Sequence, residues 1–401
     1  MTDPLDQFIS PSQKVAIRAP IGEALTLPRK AFLSEEFFRL EVERLFSRTW
    51  MGVGFSHSVA NSGDVLPLTL LGMPLLLIRD EDEVLRIFHN IGAHDACPVQ
   101  LEPGTGQKEL VSPYHGWRYD LRGQLIATPF WDGTPDPAVQ SLGRREVNLR
   151  EVPSAVWCGT IYVNISGDAQ PFEEYIAPVL ALFRDRDLSG LGVTVDSTGE
   201  PFTASYPYAG NWKTYMENTC INVLHEGFVH QLYRDSPDVP RVTKDGEKTY
   251  TDRVDRGLLA LHFDSKDADE TYPELGLAPI RLSNGEIPSD RAFVALFPNT
   301  NITLFPDMVQ MTIARPLDSG RTDVLETNFL NGEAAFAPEF AEIREELYAI
   351  NRMVVSEDEQ MVDAVQLARQ SPAYDQVFYS PFWDTLHYEF NKMVLDALES
   401  E

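Results

Sequence analysis

The sequence predicts an α+β fold: a small all-β module inserted into a larger domain with an antiparallel sheet and long C-terminal helices. Three observations carry this. Short apolar runs punctuated by Gly, Pro and acidic turns crowd residues 63–165. Strand-length apolar stretches return between 203 and 329. Two segments with helical periodicity, 338–369 and 383–398, then close the chain. A length of 401 residues suits about two domains.

Taken in order, residues 1 to about 30 are Pro-rich and read as irregular. Ser34 is placed to cap a helix reaching Phe46, with Glu35 and Glu36 in the first turn, where the positive helix end favours them. From 63 to 90, apolar runs broken by Gly72, Pro74 and the acidic turn 80–83 read as strands. Two loops follow, NIGAHDACPVQLEPGTG and SPYHGWRYDLRGQL, around a short strand at Leu110 and Val111. The second turns at 120–123 like a hairpin tip, and strand-like 154–165 leads back to the larger domain. A helix is expected at Phe172–Phe183, then strands at 203–208, 258–263, 292–297, 302–305, 309–315 and 324–329. Segment 232–290, rich in Asp, Pro and Lys, reads as a long surface excursion of the kind that covers active sites.

The formal net charge of −28 repels phosphates, which disfavours nucleic acid and anionic membranes as partners. The start, MTDPLDQFISPSQK, has no apolar signal core, and no apolar run approaches membrane-spanning length, so a cytoplasmic location is expected. Three cysteines far apart, Cys97, Cys158 and Cys220, suggest no disulfide framework.

The stretch GNWKTYMENTCINVLHEGFVH carries His225 and His230 downstream of Glu217 and Asn218. Imidazole is the commonest biological metal ligand. On a regular helix, positions i and i+5 point roughly 140° apart, so the two rings converge on one ion only if the helix is broken or bulged. One residue too many separates them for the zinc-protease HExxH pattern, although Glu226 follows His225. Two histidines alone also fit a structural or solvent-facing role. A third ligand is suggested by Asp358, which falls in the middle of an apolar stripe of Val354, Met361 and Val365 at helical spacing. A carboxylate on a buried face is costly unless paired or metal-bound. A salt bridge to an arginine is its alternative, and Glu357 and Glu359 are expected to be solvated charges. Two histidines and a carboxylate make the facial triad of non-haem Fe(II) oxygenases.

Taken together, FSRTW (46–50), Gly63 with Asp64, PYHGWRYDLRGQL, NWKTYMEN, the double histidine and the Glu357-Asp358 helix resemble the large subunit of Rieske non-haem iron oxygenases, the ring-hydroxylating family. The resemblance implies a β-rich Rieske domain joined to a helix-grip (START-like) catalytic domain. It suggests boundaries of 1–50 for an N-terminal segment, 51–153 for the Rieske-like domain and 154–401 for the catalytic domain. It also implies that His225, His230 and Asp358 hold iron, with Asn218 a polar neighbour.

The chain departs from that family where a Rieske [2Fe–2S] centre needs two cysteines and two histidines. The family supplies C-x-H and C-x-x-H. Here the motifs read Gly92-Ala93-His94 and Ser112-Pro113-Tyr114-His115. Glycine has no donor, and a serine hydroxyl substitutes poorly for thiolate. The acid that in the family links a neighbour's cluster to the iron is replaced by Asn222. No [2Fe–2S] cluster is expected. His94 and His115 default to structural hydrogen bonding, with a relict zinc site using Cys97 as the lesser alternative.

The expectation is therefore an oxidoreductase subunit with mononuclear Fe(II) for O2-dependent hydroxylation or demethylation of a small organic, by default aromatic, substrate. Electrons would come from a Rieske-competent partner in a homo- or heterotrimeric or hexameric ring served by a reductase. Two alternatives stand beside it: a catalytically silent structural subunit, and a redox-independent metal- or ligand-binding helix-grip protein. Phe297, Phe305, Met308 and Met311 are candidates for the cavity wall, with sheet core as the competing reading. No cluster of acids or aromatic cage for a quaternary amine is discernible in the sequence.

Overall fold

The computed structural model describes residues 3–135, 142, 145–234, 236, 239–264 and 276–400, so parts of the 232–290 stretch lie outside the described residues. The chain divides into two compact units, Val53–Ala169 and the combination of Met1–Gly52 with Gln170–Glu401.

The N-terminal stretch departs from its expected irregularity. After a 3-10 turn at Pro4–Gln7, helix α1 (Pro11–Ile17) starts from a capping box in which Ser10 and Gln13 satisfy each other's backbone N–H groups. Proline at the first helical position adds to this signal. Helices α2 (Lys30–Leu33) and α3 (Glu35–Arg44) follow, and Ser34 caps α3 by accepting from the Phe37 amide.

The smaller unit is built from short strands. β1 (Met51–Phe55), β2 (Val65–Leu70), β3 (Met73–Arg79) and β4 (Leu85–His89) precede the two loops. β5 (Leu110–Val111), β6 (Arg118–Tyr119), β7 (Leu125–Ala127), β8 (Ser154–Trp157) and β9 (Thr160–Val163) follow or separate them. They form three small sheets, β1-β9-β8, β2-β3-β4 and β5-β6-β7. β2 and β3 join through Leu71 and Gly72, both at positive φ, as a tight right-twisting hairpin requires. Leu76, Ile78, Phe88, Leu110, Trp117 and Tyr119 share one core beneath the loops.

The larger unit adds α4 (Phe172–Phe183), β10 (Leu191–Val193) and β11 (Ala204–Tyr208). Helices α5 (Trp212–Asn218), α6 (Glu226–Val229) and α7 (Gln231–Arg234) come next. Strands β12 (Thr251–Asp255), β13 (Leu258–Phe263), β14 (Arg291–Leu296), β15 (Thr300–Leu304), β16 (Met308–Asp318) and β17 (Arg321–Asn331) complete the sheet. It runs β10-β17-β16-β15-β14-β13-β12, with β11 also on β17 and every pairing antiparallel. Helices α8 (Ala341–Arg369) and α9 (Thr385–Glu399) end the chain. The expected α+β class is what the structure has.

Helix α5 is pinned by two buried ion pairs. Lys213 Nζ meets Glu41 of α3 at 2.6 Å, both side chains fully buried. Four residues on, Glu217 receives Arg369 of α8 at 2.6 Å and the Asn391 amide of α9 at 2.9 Å. Glu217 is thus a structural carboxylate, anchoring the helix from which the histidine segment departs.

Candidate metal centre

The double histidine converges because the helix between its members is a single turn. His225 is the N-cap of α6, and His230 is its C-cap with extended backbone at φ −86° and ψ 119°. The break expected from the five-residue spacing is therefore present. His225 Nε2 and His230 Nε2 lie 3.1 Å apart, and each is 3.5 Å from Asp358 Oδ1 on α8. Glu226 pairs with Arg241 at 2.9 Å instead of entering this group.

The tautomers follow from the neighbours. His225 Nδ1 faces the Asn222 carbonyl, and His230 Nδ1 faces Glu357 Oε2 at 3.0 Å. Neither acceptor brings a hydrogen of its own, so both rings carry the proton on Nδ1 and turn the Nε2 lone pair inward. Asp358 Oδ1 is buried without a hydrogen-bond partner. Two lone pairs and a carboxylate oxygen at these separations repel one another, and a cation between them relieves that repulsion. The same demand shows in His225. Burial pushes its imidazole pKa down, but the Asp358 carboxylate overcomes this and the net shift is upward. The N2O donor set fits a mononuclear divalent ion and leaves positions open for other ligands.

Two expectations about α8 need correction. Met361 and Val365 are exposed, so they do not continue a buried stripe. The inward face runs instead through Leu347, Asn351, Val354 and Asp358, then Val362, Gln366 and Arg369. Glu357 is not a free solvated charge, because it accepts from His230 Nδ1 and also from the Gln231 amide at 3.2 Å. Glu359 faces Arg352 at 3.4 Å.

The triad borders a cavity of about 210 Å³. Strand alternation sets its wall. On β16, Met308, Gln310 and Thr312 face the cavity, while Val309, Met311 and Ile313 are buried on the other side. Of the four apolar candidates, Phe305 and Met308 line the cavity, and Phe297 and Met311 do not. Cross-strand neighbours build two rows: Leu261, Phe293, Thr303 and Gln310, then Asn301, Thr312 and Glu326. Glu326 is 7% exposed and receives Asn351 Nδ2 at 3.3 Å. Burial raises its carboxyl to about 7, against hydrogen bonds from Thr312 and Asn351. Tyr208 and Tyr215 also line the wall, with ring centroids 4.9 Å apart. These three residues supply a carboxyl and aromatic rings that sequence reasoning missed, because they come from three separate elements, β17, β11 and α5. Cys220 is on the wall too, and burial pushes its thiol up to about 12, leaving it neutral. Asn222 lines the cavity, whereas Asn218 is not among the lining residues and keeps a buried Nδ2 without a partner.

In the smaller unit, the loops bring His94 and His115 together with ring centroids 4.7 Å apart. Gly92 donates its N–H to the Cys97 carbonyl, and a Cβ built on Gly92 would sit 3.1 Å from that oxygen. Ser112 is 5% exposed and offers only a hydroxyl. The donors here do not match a set of two thiolates and two imidazoles.

Residues 197–400, just over half of the chain, match the family model of the ring hydroxylating alpha subunit, catalytic domain. The chain belongs to this family. Residues 49–141 match the Rieske [2Fe–2S] domain. The chloroplastic choline monooxygenase of Arabidopsis thaliana is 23% identical over 376 residues, covering 92% of this chain and 82% of that protein. Naphthalene 1,2-dioxygenase from Rhodococcus sp. bound to indole has a TM-score of 0.77 at 16% identity, covering 100% of both chains. A quaternary ammonium Rieske monooxygenase in complex with L-carnitine has a TM-score of 0.74 at 18% identity, covering 96% of this chain and 99% of that one. These structural likenesses speak for the fold. Alpha subunits of this family are oxidoreductases that use non-haem iron and a Rieske cluster. Among the described residues no helix is long and apolar enough to cross a membrane.

Proposed function

We propose that this chain is an oxygenase subunit whose His225, His230 and Asp358 hold mononuclear Fe(II), and that it carries no [2Fe–2S] cluster of its own. The observation that carries the reading is the inward turn of two imidazole lone pairs and one unpartnered carboxylate oxygen onto a common point. Bound there, ferrous iron would supply the activation of dioxygen. The Asn222 carbonyl and Glu357 hold the two rings in the ligating tautomer. Leu261, Phe293, Phe305 and Met308 exclude water from the adjoining cavity. The row ending in Glu326 orients a substrate by its polar groups.

That polar row favours a small molecule with a hydrogen-bonding or cationic substituent over a plain aromatic hydrocarbon. The similarity to a choline monooxygenase and to a quaternary ammonium monooxygenase agrees with a cationic nitrogen near Glu326 and the tyrosines. Hydroxylation or demethylation of such a compound is the reaction. Electrons arrive from a partner with an intact Rieske domain, fed by a reductase, because Gly92 and Ser112 offer no thiolate. The test is iron content followed by single turnover, with and without a Rieske-competent partner. Product only with the partner supports the reading, and no product in any combination rejects it.

A second reading is favoured by the joint change at Gly92, Ser112 and Asn222: a catalytically silent subunit that completes a heteromeric ring. Asp358→Ala separates the two. Loss of the complex's activity with assembly unchanged contradicts a purely structural role.

A further inference from the structure

We propose that His94, Asp95 and His115 form a mononuclear divalent metal site of zinc type, in the loops where the family carries its cluster. The inference rests on the reading that these loops hold no [2Fe–2S] centre. One ligand atom from each of the three residues lies within 4.8 Å of the other two, and Cys97 is not part of this group.

Each donor is held by a different feature of the loops. The first loop is braced by Asn90, whose side chain accepts from the Val99 and Gln100 amides and donates to the Gln100 carbonyl at 2.7 Å. It is tied to the second by the Ala93 amide, which donates to the Tyr119 hydroxyl at 3.2 Å. His94 lies flat on Trp117, with centroids 4.9 Å apart and planes 10° apart, and its edge meets Trp131. His115 packs on Tyr114 with centroids 4.0 Å apart. Asp95 anchors one oxygen by accepting the Cys97 amide at 2.9 Å. Its other oxygen lies between the imidazoles, in hydrogen-bond contact with His115 Nδ1 and 3.8 Å from His94 Nδ1.

That last distance is too long for a hydrogen bond. A metal-free Asp–His pair explains His115 but leaves the His94 nitrogen aimed at the carboxylate without reaching it. One ion would take up both rings once the Asp95 oxygen moves off its direct contact with His115 Nδ1, which separates the three atoms enough for each to ligate it. Two neutral imidazoles and a carboxylate suit Zn²⁺, with water completing the tetrahedron on the solvent side, where the histidines are partly exposed. Without sulfur donors the site is not suited to iron–sulfur chemistry. Its role is to fasten the two loops, not to carry electrons.

The experiment uses the full chain, stripped of metal and titrated with Co²⁺ as a spectroscopic probe, with Zn²⁺ counted by elemental analysis after gel filtration. The wild type should bind two divalent ions per chain. H225A/H230A should keep one, H94Q/H115Q should keep the other, and the combined variant none. D95N preserves an oxygen for the Cys97 amide and so tests the site even where H94Q/H115Q fails to fold. It should weaken the second ion by at least about tenfold. A wild type that binds a single ion, lost entirely in H225A/H230A, overturns the proposal. So does D95N binding as tightly as wild type, or acid-labile sulfide in purified protein. An ion retained in H225A/H230A but none in H94Q/H115Q would sink the iron reading and leave this one standing.

Discussion

Glu357 gives a sharp quantitative test of the iron centre. Its carboxylate accepts from His230 Nδ1 at 3.0 Å and from the Gln231 amide at 3.2 Å, fixing both the ring and the backbone that leaves it. His230 is 3% exposed, so its ring depends on this acceptor rather than on bulk water. Partners of this kind typically contribute 10–100-fold in metal affinity, or about 1.4–2.7 kcal/mol. Glu357→Ala should therefore weaken Fe(II) binding by one to two decades. Glu357→Gln keeps an amide oxygen for the ring, so its loss should stay near the lower bound of about tenfold. The assay is anaerobic competition between the protein and a coloured Fe(II) chelator. Glu359→Ala is the control, since Glu359 faces Arg352 and not the triad, and it should leave affinity unchanged. Glu357→Ala binding iron as tightly as the Glu359→Ala control would refute the claim that Glu357 orients His230.

Three further outcomes are expected. Asp358→Ala should abolish iron retention on gel filtration without altering the far-UV circular dichroism, because the residue is a ligand and not part of the core; full retention would remove it from the site. Glu217→Gln breaks a buried ion pair and should cost about 3–5 kcal/mol in urea unfolding at pH 7. Burial pushes the Glu217 carboxyl up, but Arg369 and His387 outweigh it and hold the carboxyl below the ordinary carboxylate range. Its contribution is thus complete above the unfolded value of about 4.3 and fades as pH falls below it, so wild type and variant should converge in acid. Glu326 has the opposite sign. Burial raises it from 4.5 to about 7, so the folded state holds the extra proton and stability falls as pH rises across that window. The fall amounts to about 3 kcal/mol, and Glu326→Gln should erase it in thermal unfolding between pH 5 and 8. An unchanged pH profile would contradict the burial of that carboxyl.

What the sequence made legible follows from local pattern. The strand-length apolar stretches between 203 and 329 correspond to an antiparallel sheet, and Ser34 caps its helix as its side-chain chemistry dictates. The five-residue histidine spacing demanded a broken helix, and the single-turn α6 is that break. The apolar stripe of Val354, Met361 and Val365 points to Asp358 only in part, since Met361 and Val365 are exposed and the buried face runs through Val362. What escaped depends on contacts between distant positions. Glu357 meets a ring 127 positions away in the chain, and a run of three acids on a helix looks solvated until that ring is placed. Glu326 enters the cavity beside Thr312 through strand register, and Tyr208 arrives from a separate strand. The helix at Pro11–Ile17 is different, because its Ser-x-x-Gln capping box is a local signal that the Pro-rich composition of the stretch masks.

The central claim is an oxygen-activating iron site in a chain without its own iron–sulfur cluster. Metal and acid-labile sulfide analysis of the purified full chain, with its visible spectrum, tests that most directly. The account predicts iron that disappears in H225A/H230A, no acid-labile sulfide and no red-brown absorption. Labile sulfide accompanied by two further irons per chain, the signature of a [2Fe–2S] centre, would contradict it.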